Sequence, residues 1–401
     1  MDKKWLRYRH RVVRRLVYLI LGPYSYIRYR IRVDRFKEQG KRAYLILLNH
    51  QTPFDQFFVG MSFRGPVYYL ASEDLFSNGW ISSLIRWLVA PIPIKKQTTD
   101  MTAVKNCIRV AREGGTIAIA PEGNRTYSGK TEYMSPAIAG LARKLGLPIA
   151  LYRIEGGYGA QPRWSDVIRR GKMHSYVSRV IEPEEYATMT NDELFAIIEK
   201  ELYINEAVAD REFLSSKRAE YLERAVYVCP DCGLSTFESH GNEMICKKCG
   251  LTVHYGKDKR LSVAGREFPF AFVNDWYEYQ QDYVNGLDVT ALTDEPMYTE
   301  TSDLYEVIIN KRKNLLCESA TIRLYGDRVE LSGSDFASLV LPFEEVKAVT
   351  VLGRNKLNIY HNDRVYQFKG VKRFNALKYV NIYYRWKNMV KGDVNGKFLG
   401  I

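Results

Sequence analysis

A histidine and an aspartate lie five positions apart at the end of an apolar segment, and these residue types can perform general-base chemistry. His50 and Asp55 follow residues 43–48, whose unbroken apolar run predicts a strand buried on both faces. A turn before the next helix would let Asp55 accept a hydrogen bond from one imidazole nitrogen, which leaves the other nitrogen free to take a proton. The alternative is structural: Asp55 caps a helix, and His50 only satisfies a loop hydrogen bond.

A second segment, about seventy residues later, combines a carboxylate, a glycine and a guanidinium. Glu122, Gly123 and Arg125 follow the short apolar run 116–120. Glycine lets the backbone approach a ligand closely, and the planar fork of arginine suits a phosphate group. A base beside an anion-binding loop suits transfer of a group to the hydroxyl of a phosphorylated acceptor. The alternative is a surface loop in which Glu122 pairs with Arg125.

The elements that must position these residues alternate between strands and helices. Asp100 is a candidate cap for a helix over Met101–Glu113, and Pro136 opens a further helix that ends at Gly146. Thr52 is predicted to be the N-cap of the helix that contains Asp55. Alternation of this kind predicts an α/β domain with a mixed, mostly parallel sheet flanked by helices, and ligands bind beyond the carboxyl ends of such strands.

Four segments in order resemble the motifs of the glycerolipid acyltransferase family. Residues 49–55 read Asn-His-Gln-Thr-Pro-Phe-Asp, against the family's Asn-His-x-Ser-x-x-Asp. Residues 120–126 read Ala-Pro-Glu-Gly-Asn-Arg-Thr, where the family has Phe-Pro-Glu-Gly-Thr-Arg-Ser. Residues 92–96 occupy the place of the second motif, which usually ends in Ile-Phe-Ile-Asp-Arg, and residues 147–150 match the apolar, proline-containing fourth motif.

The resemblance implies a role for each matching residue and a class of reaction. It implies transfer of a fatty acyl group from acyl-CoA or acyl carrier protein to a lysophospholipid such as lysophosphatidic acid, with His50 as the general base and Asp55 as its partner. At position 96 lysine replaces arginine, which keeps the charge but loses the bidentate fork. The residues that the resemblance assigns to the acceptor phosphate are Lys96, Glu122, Gly123, Asn124 and Arg125.

Most of the positive charge lies in the first 42 residues. The chain has 401 residues and a formal charge of +13, and residues 1–42 contain 14 Lys and Arg but only 3 Asp and Glu. Apolar residues interleave with these arginines, and the longest weakly polar stretch, Leu16 to Ile27, is shorter than the roughly 20 residues that a spanning helix needs. We expect an interfacial helix on anionic lipid. The alternatives are a helix packed on its own domain and, less expected in so apolar a segment, a nucleic-acid-binding arm.

The sequence also bears on where the protein is located and on a second apolar stretch that could contact the membrane. No small-residue cleavage site follows the arm, so we do not expect a signal peptide, and we expect a peripheral or monotopic protein on the cytoplasmic face of the cell membrane. Ile81 to Ile94 is interrupted by few polar residues. This stretch is interpreted either as a second membrane-dipping segment or as a buried core helix.

Two Cys-x-x-Cys pairs, each followed by a glycine and separated from each other by 13 residues, predict a structural zinc site. Each forms a turn that directs two thiolates at one metal ion, and four thiolates leave no open coordination position. Two disulfides or a redox pair are the alternatives. We expect Cys107 and Cys317 to be core residues instead. The predicted zinc ligands are Cys229, Cys232, Cys246 and Cys249.

The last hundred residues alternate between short strands and turns. Residues 321–325 and 328–331 predict one hairpin, residues 357–360 and 365–368 predict another, and a final helix is expected over about 373–389. Hairpins followed by one C-terminal helix resemble a pleckstrin-homology-type module. Such modules bind lipid headgroups or proteins, and we regard nucleic acid as an unlikely partner because the zinc-ribbon segment is only mildly basic.

These patterns give an α/β domain followed by a zinc ribbon and a small β-rich domain with a C-terminal helix. The predicted function is glycerophospholipid O-acyltransferase. The alternative is a non-catalytic lipid- or nucleic-acid-binding protein that uses the basic arm, the zinc ribbon and the pleckstrin-homology-like module. The predicted boundaries are 1–40 for the arm, 41–205 for the acyltransferase domain, 206–225 for a helix-prone linker, 226–260 for the ribbon, 261–300 for a connecting helical segment and 301–401 for the β domain.

Overall fold

The chain folds into two compact units. A computed structural model describes residues 4–94, 100–308, 311–333 and 338–392. The first unit comprises residues 1–163 and 168–214, and the second comprises residues 164–167 and 215–401.

The first unit is built on a seven-stranded sheet with the strand order β1-β7-β6-β2-β5-β3-β4. All neighbouring strands are parallel except β6 and β7. The strands β2 and β5 are buried along their whole length, as their unbroken apolar sequences predicted. The strand bounds are β1 (Ile31–Val33), β2 (Leu45–Leu48), β3 (Val67–Ser72), β4 (Ile92–Ile94), β5 (Thr116–Ile119), β6 (Ile149–Glu155) and β7 (Met173–Ile181).

Helices cover both faces of this sheet, and a separate apolar core lies on each face. The predicted mixed α/β sheet with flanking helices is therefore confirmed. Asp100 caps its helix as predicted, because its carboxylate accepts hydrogen bonds from the backbone N–H groups of Thr102 and Ala103. The helix bounds are α1 (Tyr8–Tyr29), α2 (Asp55–Ser62), α3 (Trp80–Val89), α4 (Met101–Arg112), α5 (Ala137–Leu145), α6 (Gly157–Ala160), α7 (Pro183–Ala187) and α8 (Asn191–Leu202).

The helix α2 begins later than predicted. Its first residue is Asp55, and Thr52 lies in the preceding turn and is not the N-cap. The Thr52 hydroxyl accepts a hydrogen bond from Phe54 N–H at 3.1 Å and donates one to the Asp55 carboxylate at 2.6 Å. This local network stabilises a turn and delays the helix, which places Asp55 at the start of the helix with its side chain directed backwards.

The helices α1 and α3 each bury one face and expose another that is apolar. The inner face of α1 buries His10, Ser25 and Tyr29, so α1 packs on its own unit, in agreement with one of the alternatives for the arm. The interpretation of α3 as a buried core helix is wrong, because most of its large apolar side chains are exposed. Within the described residues, none of the helices combines the length and apolar composition that crossing a membrane requires. The exposed apolar residues include Leu16, Leu19, Ile20 and Ile27 on α1, and Trp80, Ile81, Leu84 and Trp87 on α3.

The described residues of the second unit form three antiparallel sheets. The strands β8 and β9 form a short pair, β10 to β13 form a four-stranded sheet, and β14 to β20 form a seven-stranded sheet in the order β17-β16-β15-β14-β20-β19-β18. The helix α9 (Val273–Gly286) buries Trp276 completely, and α10 is Leu377–Lys391. The strand bounds are β8 (Val228–Cys229), β9 (Gly233–Leu234), β10 (Phe237–His240), β11 (Glu243–Cys246), β12 (Thr252–Tyr255), β13 (Leu261–Ser262), β14 (Tyr298–Ile308), β15 (Arg312–Leu324), β16 (Arg328–Ser332), β17 (Leu339–Pro342), β18 (Val346–Leu352), β19 (Lys356–His361) and β20 (Arg364–Lys369).

Both predicted hairpins of the β-rich region are present. They are β15–β16, in which Leu324 pairs with Val329, and β19–β20, in which Tyr360 pairs with Val365. The expected helical character of residues 206–225 is wrong, since this segment contains only a short 3-10 helix at Leu222–Arg224.

Candidate active site

The register of the sheet brings His50 and Glu122 to the same level. Leu45 on β2 pairs with Ile117 on β5 in parallel, and His50 and Glu122 each lie five residues beyond these partners. Both segments therefore leave the sheet at its carboxyl edge side by side. The backbone N–H of His50 donates a hydrogen bond to Glu122 Oε1 at 3.0 Å.

Asp55 orients the His50 imidazole. His50 Nδ1 lies 2.8 Å from Asp55 Oδ2, and the backbone N–H groups of Gln51 and Thr52 donate to the same carboxylate at 2.6 and 3.0 Å. Asp55 is 1% exposed, and these donors compensate the burial of its charge. Because Nδ1 faces a carboxylate, the hydrogen-bond network assigns the proton to Nδ1 and leaves Nε2 with a lone pair. Asp55 thus serves the histidine, and its donors lie in the turn before α2.

Asn49 ties the histidine turn to the neighbouring strand. Its side-chain amide donates to the Ile154 carbonyl oxygen at 2.9 Å and accepts from the Ile154 N–H at 2.8 Å. These reciprocal bonds replace a missing ladder position between β2 and β6. The first residue of the motif therefore holds the chain at the point where His50 leaves the sheet.

Glu122 is a buried carboxyl directed at the histidine turn. Its Oε2 is buried without a hydrogen-bond partner among the described residues. The pKa of Glu122 is raised to about 8, mainly by burial and to a smaller extent by the nearby carboxylates of Glu132 and Asp55, while the backbone N–H of His50 opposes the rise. Glu122 is therefore not the solvated half of a surface ion pair, which was the structural alternative for this loop.

The rest of the loop is held by two residues that the sequence analysis missed. Arg163 is 1% exposed and donates hydrogen bonds to the Arg125 carbonyl oxygen at 3.0 Å and to Asn124 Oδ1 at 3.5 Å. The carboxylate of Glu132 accepts hydrogen bonds from the hydroxyl groups of Thr126, at 3.1 Å, and Ser128, at 3.2 Å. Neither residue belongs to a recognisable motif, so no local signal could have identified it.

The predicted acceptor-binding residues are brought together as far as the structure describes them. Glu122, Gly123, Asn124 and Arg125 form one continuous loop beside His50, and Lys96 lies outside the described residues. Gly123 has φ +70°, a left-handed conformation that favours glycine, and a Cβ added there would meet open space. The glycine is therefore needed for the shape of the loop.

An apolar cavity of about 590 Å³ adjoins the histidine and extends below α1 and α3. His50 and Asp55 line it, together with side chains from β2, β3 and β5. Its volume and apolar walls suit a hydrocarbon chain. Wall residues include Val13, Val17 and Leu21 of α1, and Ile85, Leu88 and Val89 of α3.

The four cysteines of the second unit form one cluster, at the positions that the sequence predicted. Their Sγ atoms all lie within 4.8 Å of one another, with 3.6 Å between Cys229 and Cys249 and 3.6 Å between Cys232 and Cys246. A tetrahedral Zn²⁺ with bonds of about 2.3 Å separates its sulfur ligands by about 3.8 Å. The cluster therefore has the donor set and spacing for one metal ion. Cys107 and Cys317 are buried elsewhere, as expected.

Comparison with known proteins finds similarity within the first unit. Residues 29–153 match the family model for acyltransferases. A curated relative, the 1-acyl-sn-glycerol-3-phosphate acyltransferase of Bacillus subtilis (strain 168), is 23% identical over 137 residues, which are 34% of this chain and 65% of the relative. The chain thus spans slightly less than two thirds of that relative's length.

Two solved structures are also similar to parts of the chain. The 1-acyl-sn-glycerophosphate (LPA) acyltransferase PlsC from Thermotoga maritima is 20% identical, with a TM-score of 0.39 over 48% of this chain and 75% of that one. The N-terminal PH domain of the human ARAP2 protein is 13% identical, with a TM-score of 0.17 over 24% of this chain and 82% of that domain. The family match and the curated relative agree with the resemblance of the four motifs: residues 29–153 are similar to acyltransferases of glycerolipids.

Proposed function

We propose that this protein transfers a fatty acyl group from an acyl thioester to the hydroxyl of a lysophospholipid such as lysophosphatidic acid. The observation that carries the proposal is the His50–Asp55 pair, with 2.8 Å between Nδ1 and Oδ2, placed between an apolar cavity and the 122–125 loop. The cavity suits the acyl chain, the loop suits the acceptor phosphate, and the imidazole stands between them. The thioester carrier is coenzyme A or acyl carrier protein.

The proposed reaction is direct transfer with His50 as general base. Nε2 takes the proton of the acceptor hydroxyl while the hydroxyl oxygen attacks the thioester carbonyl carbon. The tetrahedral intermediate collapses with cleavage of the C–S bond, and the leaving thiolate takes the proton back from Nε2. Asp55 keeps the ring oriented and stabilises the imidazolium that forms between these steps.

On the acceptor side, Arg125 supplies the positive charge and Glu122 contributes little negative charge. A carboxyl with a pKa of about 8 is mostly protonated at neutral pH, so it does not repel a phosphate strongly. Its protonated form can also donate a hydrogen bond. Lys96 is assigned a supporting charge by the family resemblance alone.

A transfer assay tests this proposal. Purified protein is incubated with radiolabelled acyl-CoA or acyl carrier protein and a panel of lysophospholipids, glycerol 3-phosphate and neutral monoacylglycerol. We expect transfer to a lysophospholipid bearing a phosphate, with less transfer to the neutral acceptor. If no acceptor is acylated by either donor, the enzymatic assignment is wrong.

We also propose that the exposed apolar faces of α1 and α3 bind an anionic membrane surface, on the cytoplasmic side. Arginines flank the apolar residues of α1, an arrangement typical of interfacial helices. The substitution Ile20→Glu should weaken binding to anionic vesicles, because Ile20 is 74% exposed. As the matched control, Leu214→Glu changes an exposed leucine elsewhere in the first unit and should leave vesicle binding unchanged. Equal vesicle binding by both variants would contradict this assignment.

For the second unit we propose a structural zinc ribbon and a pleckstrin-homology-like β domain. Purified protein should contain about one zinc ion per chain, and Cys229→Ser should remove it, since a thiolate is lost from a closed four-ligand site. The control Cys317→Ser changes a buried cysteine outside the cluster and should retain the metal. Metal analysis that finds no zinc in either protein would contradict the proposal.

A further inference from the structure

The apolar cavity contains a buried imidazole with unused hydrogen-bonding capacity. His10 lines the cavity from α1 and is 3% exposed. Its Nδ1 lies 3.0 Å from the Tyr68 hydroxyl, whereas its Nε2 is buried without a hydrogen-bond partner among the described residues. Burial, with smaller effects from Arg9 and Arg7, lowers the pKa of His10 to about 4, so the ring is neutral at physiological pH. A buried polar atom without a partner indicates a water or a ligand group at that position.

His10 lies far from the reacting end of the cavity. Its partner Tyr68 pairs with Ile117, which in turn pairs with Leu45 at the start of β2, and His50 follows Leu45 by five residues. At 3.3 Å per residue, this places Tyr68 roughly 16 Å from His50 along the strand direction. An acyl chain whose carbonyl is held at His50 therefore reaches His10 with its distal half.

The neighbouring cation on the same wall of α1 already has partners. Arg14, one turn after His10, donates to the carbonyl oxygens of Gly60 and Phe63 at 2.7 Å each. These carbonyls lie at the end of α2, where a positive charge is favourable. The Arg14 guanidinium thus serves the fold through Nη2, although its Nε is buried without a partner among the described residues, as His10 Nε2 is. His10 is the neutral polar group that this wall offers to a bound chain.

We propose that His10 forms a subsite for an acyl chain that carries a hydroxyl group in its distal half, a specificity that rests on the acyltransferase function proposed above. A hydroxyl both donates and accepts, so it can pair with Nε2 in either tautomer of the ring. An unsubstituted chain fills the same cavity but leaves the nitrogen unpaired.

Ligand binding to a non-reacting variant tests this subsite. Affinities are measured in full-length His50→Ala protein by competition with a fluorescent fatty acid. The competing ligands are a plain long-chain fatty acid and three isomers that carry a hydroxyl group near the carboxyl group, in the middle of the chain or near its end. The same ligands are measured after His10→Phe, which keeps a flat ring but removes the nitrogen. Tyr8→Phe, at a position 77% exposed on α1, is the matched control.

The result of interest is the preference for a distally hydroxylated chain over the plain chain. We expect His10→Phe in the His50→Ala background to reduce this preference by about fivefold or more relative to His50→Ala alone, as the loss of one neutral hydrogen bond predicts. Tyr8→Phe should retain it. If His10→Phe does not fold, the affinities of the isomers for His50→Ala protein with His10 intact still test the subsite. Equal affinities for all isomers and the plain chain would mean that His10 Nε2 binds only a buried water. If no fatty acid binds, the cavity is not an acyl site, and both the proposed function of the cavity and the His10 subsite are wrong. If plain chains bind but hydroxylated chains are not preferred, only the His10 subsite is wrong.

Discussion

The histidine turn, residues 49–55, and the loop formed by residues 120–127 leave the same sheet side by side, yet different parts of the chain hold them. The turn is held largely from within, because the donors to the Asp55 carboxylate are His50, Gln51 and Thr52. The loop is held from outside, by Arg163 and Glu132. The first segment is therefore a local structure that a short motif can specify, whereas the second takes its shape from the surrounding fold.

The carboxyl groups of Asp55 and Glu122 also differ, in how completely their oxygens are hydrogen-bonded. Asp55 accepts hydrogen bonds on both oxygens, while one oxygen of Glu122 has no partner among the described residues and its pKa is raised by burial. A saturated carboxylate suits a fixed, orienting role. A buried carboxyl with one oxygen unpaired suits a hydrogen bond to the bound acceptor.

The largest expected effect concerns the histidine turn. His50→Ala should lower kcat by about a hundred- to ten-thousand-fold, as is typical when a general base is removed, with little change in thermal stability. Radiometric transfer assays and thermal unfolding check this. His361→Ala is the control, because His361 also pairs with a carboxylate, Glu345, but lies in the second unit. Turnover of His50→Ala within a few fold of the unsubstituted protein would remove His50 from the mechanism.

A smaller and more selective effect is expected in the loop. Arg125→Ala should reduce kcat/KM for phosphate-bearing acceptors by roughly ten- to a hundredfold, since it removes a charge-assisted contact, and should affect a neutral acceptor much less. Arg163→Met should produce the same acceptor-selective loss through KM, although Arg163 is a positioning residue that acts on the loop backbone.

The control for these two variants is Arg179→Ala, which removes a half-exposed partner of Glu185 at the surface. Its kinetics should be unchanged. Equal losses on phosphate-bearing and neutral acceptors after Arg125→Ala would show that Arg125 maintains the fold of the loop and does not select the acceptor. Retention of the selectivity in Arg163→Met would show that the loop does not need the support of Arg163.

This contrast also explains how much could be predicted from the sequence. The buried strands, the Asp100 cap and the cysteine cluster follow from patterns within a few residues, and the sequence predicted all of them. The start of α2 was missed because the Thr52 hydroxyl forms a turn where a capping role was expected. The exposure of α3 was missed because an apolar stretch has the same sequence whether it faces a core, a membrane or water.

The supporting residues of the site could not be predicted for a different reason. Arg163 donates to the backbone carbonyl of a residue 38 positions earlier, and a backbone carbonyl has no sequence signature. Glu132 accepts a hydrogen bond from a hydroxyl group 6 positions earlier. The cavity has no local signal either, because its walls come from three helices and three strands. Such features depend on tertiary packing, and a sequence without aligned relatives carries no record of which distant residues meet.

The smallest effect on activity, and the most specific for the loop carboxyl, is expected from Glu122→Gln. With a pKa of about 8 in the folded protein and about 4.5 when unfolded, Glu122 is protonated in both states below pH 4.5. Between these values the folded state keeps a proton that the unfolded state loses, so the free energy of unfolding falls as pH rises, by roughly 3–5 kcal/mol in total, and levels off above pH 8. The amide cannot ionise, so urea unfolding from pH 5 to 9 should show a flatter pH dependence for Glu122→Gln, with activity at pH 7 within about fivefold of the unsubstituted protein because the amide still donates a hydrogen bond. Parallel pH profiles for the two proteins would mean that Glu122 is ionised in the folded state, and the loop would then present a negative charge to the acceptor.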